Sequence, residues 1–247
     1  MNTAGWHAQR RSFGAAADVY NRARPRYPAP AIVWAVGDRP SRVLDLGAGT
    51  GILTRQLVEH GHTVTAVEPN EQMLATLTVH SPGATALLGS AEHIPLADGS
   101  VVAVVAGQAY HWFDPSMAHD EIARVLRPGG RFAPMWNLRD VSVGWVAALT
   151  GVLAQLEDDN RKGLPDYSFG PRFEPVARAE FRHEAGYTVD SLIELVRSRS
   201  YYLTSPAERR ATIEAQIRQL AATHPELAGR TEFTMPYVTV VLRARRI

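Results

Sequence analysis

Residues 42–51, RVLDLGAGTG, join a short apolar run to three glycines, and a helical pattern follows at once in ILTRQLVEHG. The apolar run is typical of a strand that is buried on both faces of a parallel sheet. Glycines at 47, 49 and 51 indicate a tight turn in which a ligand approaches the backbone closely. We therefore expect a parallel sheet with a ligand-binding turn after its first strand.

Strand and helix patterns alternate from residue 42 to residue 136, which is typical of a parallel sheet covered by helices. Further strands are predicted at HTVTAVEP, ATALLG, VVAVVA and RFAPMWN, and helices at NEQMLATLTVH and DPSMAHDEIARVL. Asn70 and Asp114 are predicted to cap these two helices. RPGG is predicted to end the second of these helices before the fifth strand. Pro134 conflicts with that strand, because proline cannot donate to a ladder.

The remainder of the chain has a looser pattern. Helices are predicted over 144–163, 188–200 and 205–224, the last with a capping box of Ser205 and Glu208. EFRHEAGYT and TEFTMPYVTVVLRAR predict two more strands, and the segment between the first helix and these strands reads as irregular. The predicted fold is an α/β, doubly wound, mostly parallel seven-stranded Rossmann-like sheet with helices on both faces and a small helical cap.

Composition excludes several classes of protein. The chain has 247 residues, a net charge of +1 with dispersed basic residues, and no cysteine. Nucleic acid is therefore not favoured as a partner, and disulfide scaffolds, cysteine-ligated zinc and iron–sulfur clusters are excluded. No signal peptide and no membrane-spanning apolar run is apparent. We expect a cytoplasmic monomer or homodimer with no metal and no membrane association.

The ligand's chemistry follows from the acids around the glycine turn. The dinucleotide fingerprint requires a third glycine at position 52, where this chain has Ile52. Asp45 would repel a pyrophosphate and attract a cationic group. Glu68 ends the second predicted strand, where a carboxylate can accept hydrogen bonds from both ribose hydroxyls. A ribose together with a positive charge indicates S-adenosylmethionine (SAM), and disfavours the alternative of an NAD(P)-dependent oxidoreductase.

VLDLGAGTG, the acid in VEPNEQML, SAEHIPL and LRPGG occur in an order and spacing that resemble the class I SAM-dependent methyltransferases. The likeness spans roughly residues 40–137 and is greatest to the type 11, trans-aconitate-methyltransferase-like small-molecule branch. It implies that Asp45 and the turn backbone hold the methionine part and that Glu68 holds the ribose. The cofactor residues that it implies at the turn and around the adenine are Gly47, Ala48, Gly49, Gly51, Pro69, Asn70, Met73, Ser90, Ala91 and Glu92. The family commonly has Asp where this chain has Ser90, so the adenine contact is left open between Ser90, Glu92 and a backbone group.

GQAYHWFD follows the fourth strand, at the sheet edge where ligands lie in doubly wound folds. Gln108 and Tyr110 are expected to contact the cofactor, and His111 and Trp112 to face the methyl acceptor. His111 is a candidate proton acceptor, although methyl transfer often needs no base. The alternative for Trp112 and Phe113 is packing at a helix start.

The N-terminal stretch RSFGAAADVYNRARPRYP is interpreted as a lid. The resemblance implies that Tyr20 and Arg24 close over the methionine carboxylate, and Tyr20 is a second candidate catalytic residue. The alternative is that Tyr20 only packs and Arg24 is solvated. The candidate substrate-binding residues are Tyr27, His111, Trp112, Trp136, Asn137 and Arg172.

The sequence thus predicts a SAM-dependent methyltransferase that acts on an O, N or C nucleophile of a small molecule and releases S-adenosylhomocysteine (SAH). A SAM-binding protein without catalysis is the alternative that the same residues leave open. One domain is expected over 1–247. Its predicted parts are a lid with the first helices (1–40), a SAM-binding core (41–137), a substrate cap (138–178 with part of 189–225) and closing strands (179–187 and 231–247).

Overall fold

A computed structural model describes residues 24–154 and 168–247. The described residues form two compact units, each assembled from separate stretches of the chain. Unit 1 contains residues 24–25, 138–154 and 183–238, and unit 2 contains residues 26–137, 168–182 and 239–247. Tyr20, and most of the stretch interpreted as a lid, lie outside the described residues.

The strands form a seven-stranded sheet in the order β3-β2-β1-β4-β5-β7-β6. Their bounds are β1 Arg42–Leu46, β2 Thr63–Glu68, β3 Thr85–Leu88, β4 Val101–Gly107, β5 Leu126–Arg139, β6 Ala177–Tyr187 and β7 Phe233–Arg245. The pairs β3–β2, β2–β1, β1–β4 and β4–β5 are parallel. The predicted α/β fold with a seven-stranded, mostly parallel sheet is confirmed.

Helices connect the strands. Their bounds are α1 Ala29–Val36, α2 Ile52–Glu59, α3 Glu71–His80, α4 Pro115–Val125, α5 Gly144–Ala154, α6 Val189–Arg197, α7 Ser200–Leu203 and α8 Ala207–Thr223, with a 3₁₀ turn at Tyr110–Trp112. No helix in the described ranges is both long and apolar enough to cross a membrane.

Helix starts follow the predicted caps at two positions and depart from them at a third. The Asn70 side chain accepts from the N–H groups of Gln72 and Met73, and Asp114 caps α4 through the N–H of Ser116. The capping box predicted at Ser205 is wrong, because α8 begins after Pro206 and has no side-chain cap. The Ser205 hydroxyl donates instead to the Tyr201 carbonyl at 2.7 Å.

The RPGG segment is part of β5, although the sequence predicted that this strand begins after RPGG. The pairing of β4 with β5 shifts between Val101 and Ala103, so that residues 127–130 form an irregularity within the strand. A Cβ on Gly130 would lie 2.8 Å from the Arg127 carbonyl oxygen and 3.0 Å from that of Val102, which explains the need for glycine. Pro134 stands in β5 opposite Ala106, despite its missing N–H.

Each unit has an apolar core of its own. In unit 2, Ile32 and Val36 of α1 pack with strand residues that include Val105, Met135 and Val241. In unit 1, residues of α5, α6 and α8 pack around Trp145, Tyr187 and Tyr237.

The parallel register fixes which side chains meet at one edge of the sheet. Asp45 pairs with Ala66 on one side and with Val105 on the other, and Glu68 is the last residue of β2. The strand order reverses at β1, since β2 and β4 flank it. Ligands bind at such switch points, outside the carboxyl ends of the strands.

Candidate active site

The glycine turn after β1 is held against β2 by backbone hydrogen bonds. The N–H groups of Gly47 and Ala48 both donate to the Val67 carbonyl, at 2.8 and 3.1 Å. Gly47, Gly49 and Gly51 have φ of 69°, 58° and 84°, the left-handed region that glycine adopts without steric cost. The predicted tight turn is therefore present.

Two of these glycines are required by packing, whereas the third is less crowded by the described residues. A Cβ on Gly47 would lie 2.7 Å from Ala109 Cβ, and one on Gly51 would lie 2.6 Å from Ser81 Oγ. A Cβ on Gly49 would have only Met73 Sδ within 4 Å among the described residues. Gly49 is therefore the least crowded of the three glycines in the described part of the chain.

Glu68 joins the glycine turn to the start of α3 through its two carboxylate oxygens. Oε2 accepts from the Gly49 N–H at 2.8 Å, and Oε1 accepts from the Asn70 N–H at 2.9 Å. The side chain is buried, with 6% exposed. An ionised carboxylate only accepts hydrogen bonds, so this side chain is an acceptor for hydroxyl donors.

Asp45 is more deeply buried than Glu68, with 1% exposed. Its Oδ2 accepts from the Thr54 hydroxyl at 2.6 Å, whereas Oδ1 has no hydrogen-bond partner among the described residues. Burial raises the pKa of Asp45 to about 7; the Thr54 hydroxyl opposes this rise, and the charge of Glu68 adds to it. An acceptor oxygen of this kind suits a cationic donor from a ligand.

Gln108 begins the segment after β4 in a strained conformation. Its φ of 57° is left-handed, unlike that of every other described residue except glycines. Its N–H donates to the Met135 carbonyl at 2.8 Å, and its Nε2 donates to the Asn137 carbonyl at 3.0 Å. Strain held by the surrounding bonds is common at functional sites. The conformation turns the segment sharply at the carboxyl end of β4.

Asn137 ties three parts of unit 2 together. Its Nδ2 donates to the Arg26 carbonyl at 3.2 Å, and its Oδ1 accepts from the Thr239 hydroxyl at 2.6 Å. Tyr27, the other predicted substrate residue near this point, bonds through its backbone to the Gln56 side chain. The Tyr27 hydroxyl reaches Gly107, where a Cβ would lie 2.7 Å from it.

Tyr110 lies in an aromatic cluster beside the 3₁₀ turn. Its hydroxyl hydrogen-bonds to His119 Nε2 at 2.8 Å, and its ring meets that of Trp136 at a centroid distance of 6.2 Å. His111 is exposed, and its ring lies 5.0 Å from that of the half-buried Trp112. Phe113 is buried, in line with the packing alternative for that residue.

The residues predicted around the adenine follow β2 and β3. Met73 is buried near Gly49, and Asn70 caps α3. Ser90 exchanges backbone hydrogen bonds with His93, and Glu92 accepts from the Asp114 N–H at 2.9 Å. Half-buried Pro69 and buried Ala91 stand beside these residues in the chain.

Comparison with known proteins decides the family. Residues 44–133 match the methyltransferase domain family. An uncharacterised methyltransferase of Mycobacterium tuberculosis is 48% identical over 235 residues, covering 94% of this chain and 95% of the relative. The chain belongs to the class I SAM-dependent methyltransferases. An uncharacterised methyltransferase-like protein of Schizosaccharomyces pombe is 30% identical over 240 residues, covering 92% of each chain.

The fold of this methyltransferase also matches a solved structure. A candidate type II methyltransferase from Anaeromyxobacter dehalogenans has a TM-score of 0.68 and 27% identity, covering 90% of this chain and 97% of that one. The family resemblance read from the motifs is thereby confirmed, and the NAD(P)-dependent oxidoreductase alternative is excluded.

The methyltransferase brings most predicted cofactor residues to one sheet edge, but two predicted arginines have other contacts. Arg24, in unit 1, donates from Nε to Ser198 Oγ at 3.0 Å. Arg172 donates from Nε to Asp120 at 2.7 Å, in a surface groove with Gly99. Gly99 precedes β4, so Arg172 lies toward the opposite end of that strand from Gly107.

Sequence reasoning missed three features of the methyltransferase site. Thr54 binds Asp45 from the first turn of α2, Gln108 is strained, and His119 bonds to Tyr110. No motif signals these features. Hydroxyl and imidazole side chains in helices usually have no such role, and a non-glycine left-handed residue leaves no mark on composition. In the described part of the chain, no group of three or more His, Asp or Glu side chains could hold a metal.

Proposed function

We propose that this methyltransferase binds SAM at the glycine turn and transfers a methyl group to an O, N or C nucleophile of a small molecule, with SAH as product. The observation that carries the proposal is the buried Asp45 Oδ1, which lacks a partner among the described residues. A carboxylate oxygen at that position favours a ligand ammonium group. Glu68, bound to Gly49 in the same turn, supplies the acceptor for ribose hydroxyls.

The residues at the turn fit the parts of this cofactor. Asp45 and the backbone of Gly47 to Gly49 would hold the methionine part, since no Cβ fills the space above Gly49. Glu68 would hold the ribose by accepting hydrogen bonds from its hydroxyls. The adenine would lie near Met73 and Asn70. Ser90, Ala91 and Glu92 are proposed to complete the adenine site, and Gln108 and Tyr110 the methyl-facing side.

When bound, SAM supplies a methyl group on a cationic sulfonium, which is an excellent leaving group. The chain's own residues therefore need mainly to orient donor and acceptor in line and to exclude water. His111 would accept a proton only if the acceptor is a hydroxyl or a protonated amine. For a carboxylate or a stabilised carbanion, His111 would shape the pocket, together with Trp112, Trp136, Tyr27 and Asn137. Tyr20 and Arg24 remain proposals for contacts to the methionine carboxylate. Arg172 is not proposed for the site, because it lies with Asp120 and Gly99 toward the opposite end of β4.

Calorimetric titration with SAH tests the proposal, with NAD as the ligand expected not to bind. Glu68→Ala should weaken SAH binding by about 1.5–3 kcal/mol, the range for losing hydrogen bonds to a charged group. Glu184→Ala, at an exposed position on β6, is the control and should leave the affinity unchanged. Unchanged SAH affinity in a folded Glu68→Ala protein would remove the ribose assignment. A methyl-transfer screen over small acids, phenols and amines would then identify the acceptor class.

A further inference from the structure

Two buried carboxyl groups at the glycine turn have unequal surroundings. Glu68 accepts two backbone N–H bonds, one on each oxygen. Asp45 is hydrogen-bonded by Thr54, whose hydroxyl donates to Oδ2 at 2.6 Å and whose backbone N–H also favours the ionised acid. Its Oδ1 has no partner among the described residues. Hydrogen bonds to a carboxylate favour its ionised form, whereas burial without such bonds favours the neutral form. Deep burial and an oxygen without a partner among the described residues therefore favour the protonated form of Asp45.

The charges that act on Asp45 strengthen this asymmetry. Burial is the main cause that raises the pKa of Asp45 to about 7, and Glu68 adds to it by repulsion. Glu68 is the charged group that acts on Asp45 from the described part of the chain, and Thr54 of α2 contributes the opposing hydrogen bond. Two acids whose surroundings separate their protonation commonly have different roles.

We propose that Asp45 releases its proton to solvent when the ammonium group of the cofactor binds beside it, so that cofactor binding tightens as the pH rises. The inference rests on the proposed function. The O–H bond of the Asp45 carboxyl breaks, its electron pair stays on the carboxylate, and water or buffer takes the proton. The ligand ammonium keeps its own protons and meets an ionised acid instead of a neutral one.

The direction of the pH dependence follows from linkage. Below a pH of about 7, Asp45 in the ligand-free protein is mostly neutral, so the ligand must displace a proton in order to bind. The dissociation constant should therefore fall by up to about tenfold per pH unit as the pH rises toward neutrality, and level off about one unit above it. Thr54 is a positioning residue here, because its hydroxyl stabilises the ionised acid.

Calorimetry with SAH over about pH 5.5 to 8, in two buffers of different ionisation enthalpy, measures the proton release. We expect close to one proton released per bound SAH at the acid end and close to none at the alkaline end. Asp45→Asn should abolish the proton release that comes from Asp45. Any release that remains in this variant comes from other groups, such as histidines. Thr54→Val should move the pH dependence to higher pH, while Thr54→Ser, which keeps the hydroxyl, should leave it in place.

Carboxyl ¹³C shifts in the ligand-free protein provide a readout that needs no cofactor. Titration of Asp45 near neutral pH supports the inference, and titration at its ordinary value of about 4 overturns it. SAH binding with a flat pH profile and the same enthalpy in both buffers would also overturn it, while leaving the proposed function standing. Failure of SAH to bind at any pH would instead overturn the proposed function, and this inference with it.

Discussion

At the scale of single residues, burying Asp45 has a free-energy cost that depends on pH. Its raised pKa, about 7, means that the folded state keeps a proton that the unfolded chain loses near pH 4. Stability should therefore be lost as the pH rises from about 4 to 7, by about 1.4 kcal/mol per pH unit, and level off above.

Asp45→Asn removes this pH dependence. Between pH 5.5 and pH 8, its free energy of unfolding relative to the native protein should rise by about 2 kcal/mol. Urea unfolding of both proteins at the two pH values measures the difference. Asp38→Asn makes the same substitution at an exposed position. Its free energy of unfolding relative to the native protein should differ little between the two pH values. If the free energy of unfolding of Asp45→Asn relative to the native protein is the same at both pH values, Asp45 is ionised at both in the folded protein.

Gly49 and Gly51 form a matched pair that separates binding from folding. Gly51→Ala should destabilise by about 1–3 kcal/mol more than Gly49→Ala, because the new Cβ would lie 2.6 Å from Ser81 Oγ and 2.9 Å from Leu77 Cγ. Both variants share a cost of about 1–2 kcal/mol for the left-handed conformation. Gly49→Ala should instead lose more SAH affinity, measured where both proteins are folded. The reverse order in either measurement would contradict this division of roles.

The residues of the site that were predictable lie within one turn or at a strand end. Asp45 lies in β1, Glu68 ends β2 and the glycines follow β1 directly, so the apolar strand patterns indicate where these residues lie. Thr54 and Thr239 could not be predicted, because their partners are fixed by packing. Thr239 bonds to Asn137 across 102 positions of the chain.

At the scale of elements, the starts of α6 and α8 can be compared, because each has a hydroxyl side chain near its first turn. Thr188 Oγ1 accepts from the Ser191 N–H at 3.1 Å, and Ser191 Oγ accepts from the Thr188 N–H at 2.8 Å, a full capping box on α6. Thr188→Ala should cost about 1 kcal/mol and speed hydrogen exchange in the first turn of α6. Ser205→Ala should leave the first turn of α8 unchanged, because Ser205 does not cap it. Faster exchange at the start of α8 in Ser205→Ala would contradict the structure.

The order of the elements was predictable, but their boundaries were less so. Hydrophobic periodicity located the strands of the sheet, because buried parallel strands are nearly continuous apolar runs. It could not reveal that β5 starts at Leu126 with RPGG inside it, because the strand continues through an irregularity made possible by Gly130. The box expected at Ser205 had the right residue types, but the backbone places the helix start after Pro206.

At the scale of the whole molecule, neither unit is a continuous stretch of sequence. Residues 26–137 include the whole predicted SAM-binding core, yet unit 2 also needs residues 168–182 and 239–247. Val241 is fully buried in the same core as Val105 and Met135, and Thr239 bonds to Asn137. Strand β5 has β7 as its neighbour in the sheet. The last residues of the chain therefore complete a core that begins near its start.

A fragment of residues 26–137 should accordingly neither unfold cooperatively nor bind SAH, although it contains every residue proposed for the turn and the adenine site. Removing β7 leaves β5 as an unpaired edge and exposes Met135 and Ala133 to water, which costs about 25 cal/mol per Å² of apolar surface. Urea unfolding and SAH calorimetry of the fragment, beside the full chain, measure both properties. A fragment with a cooperative transition and an affinity close to that of the full chain would show that the turn and the first five strands suffice for the site.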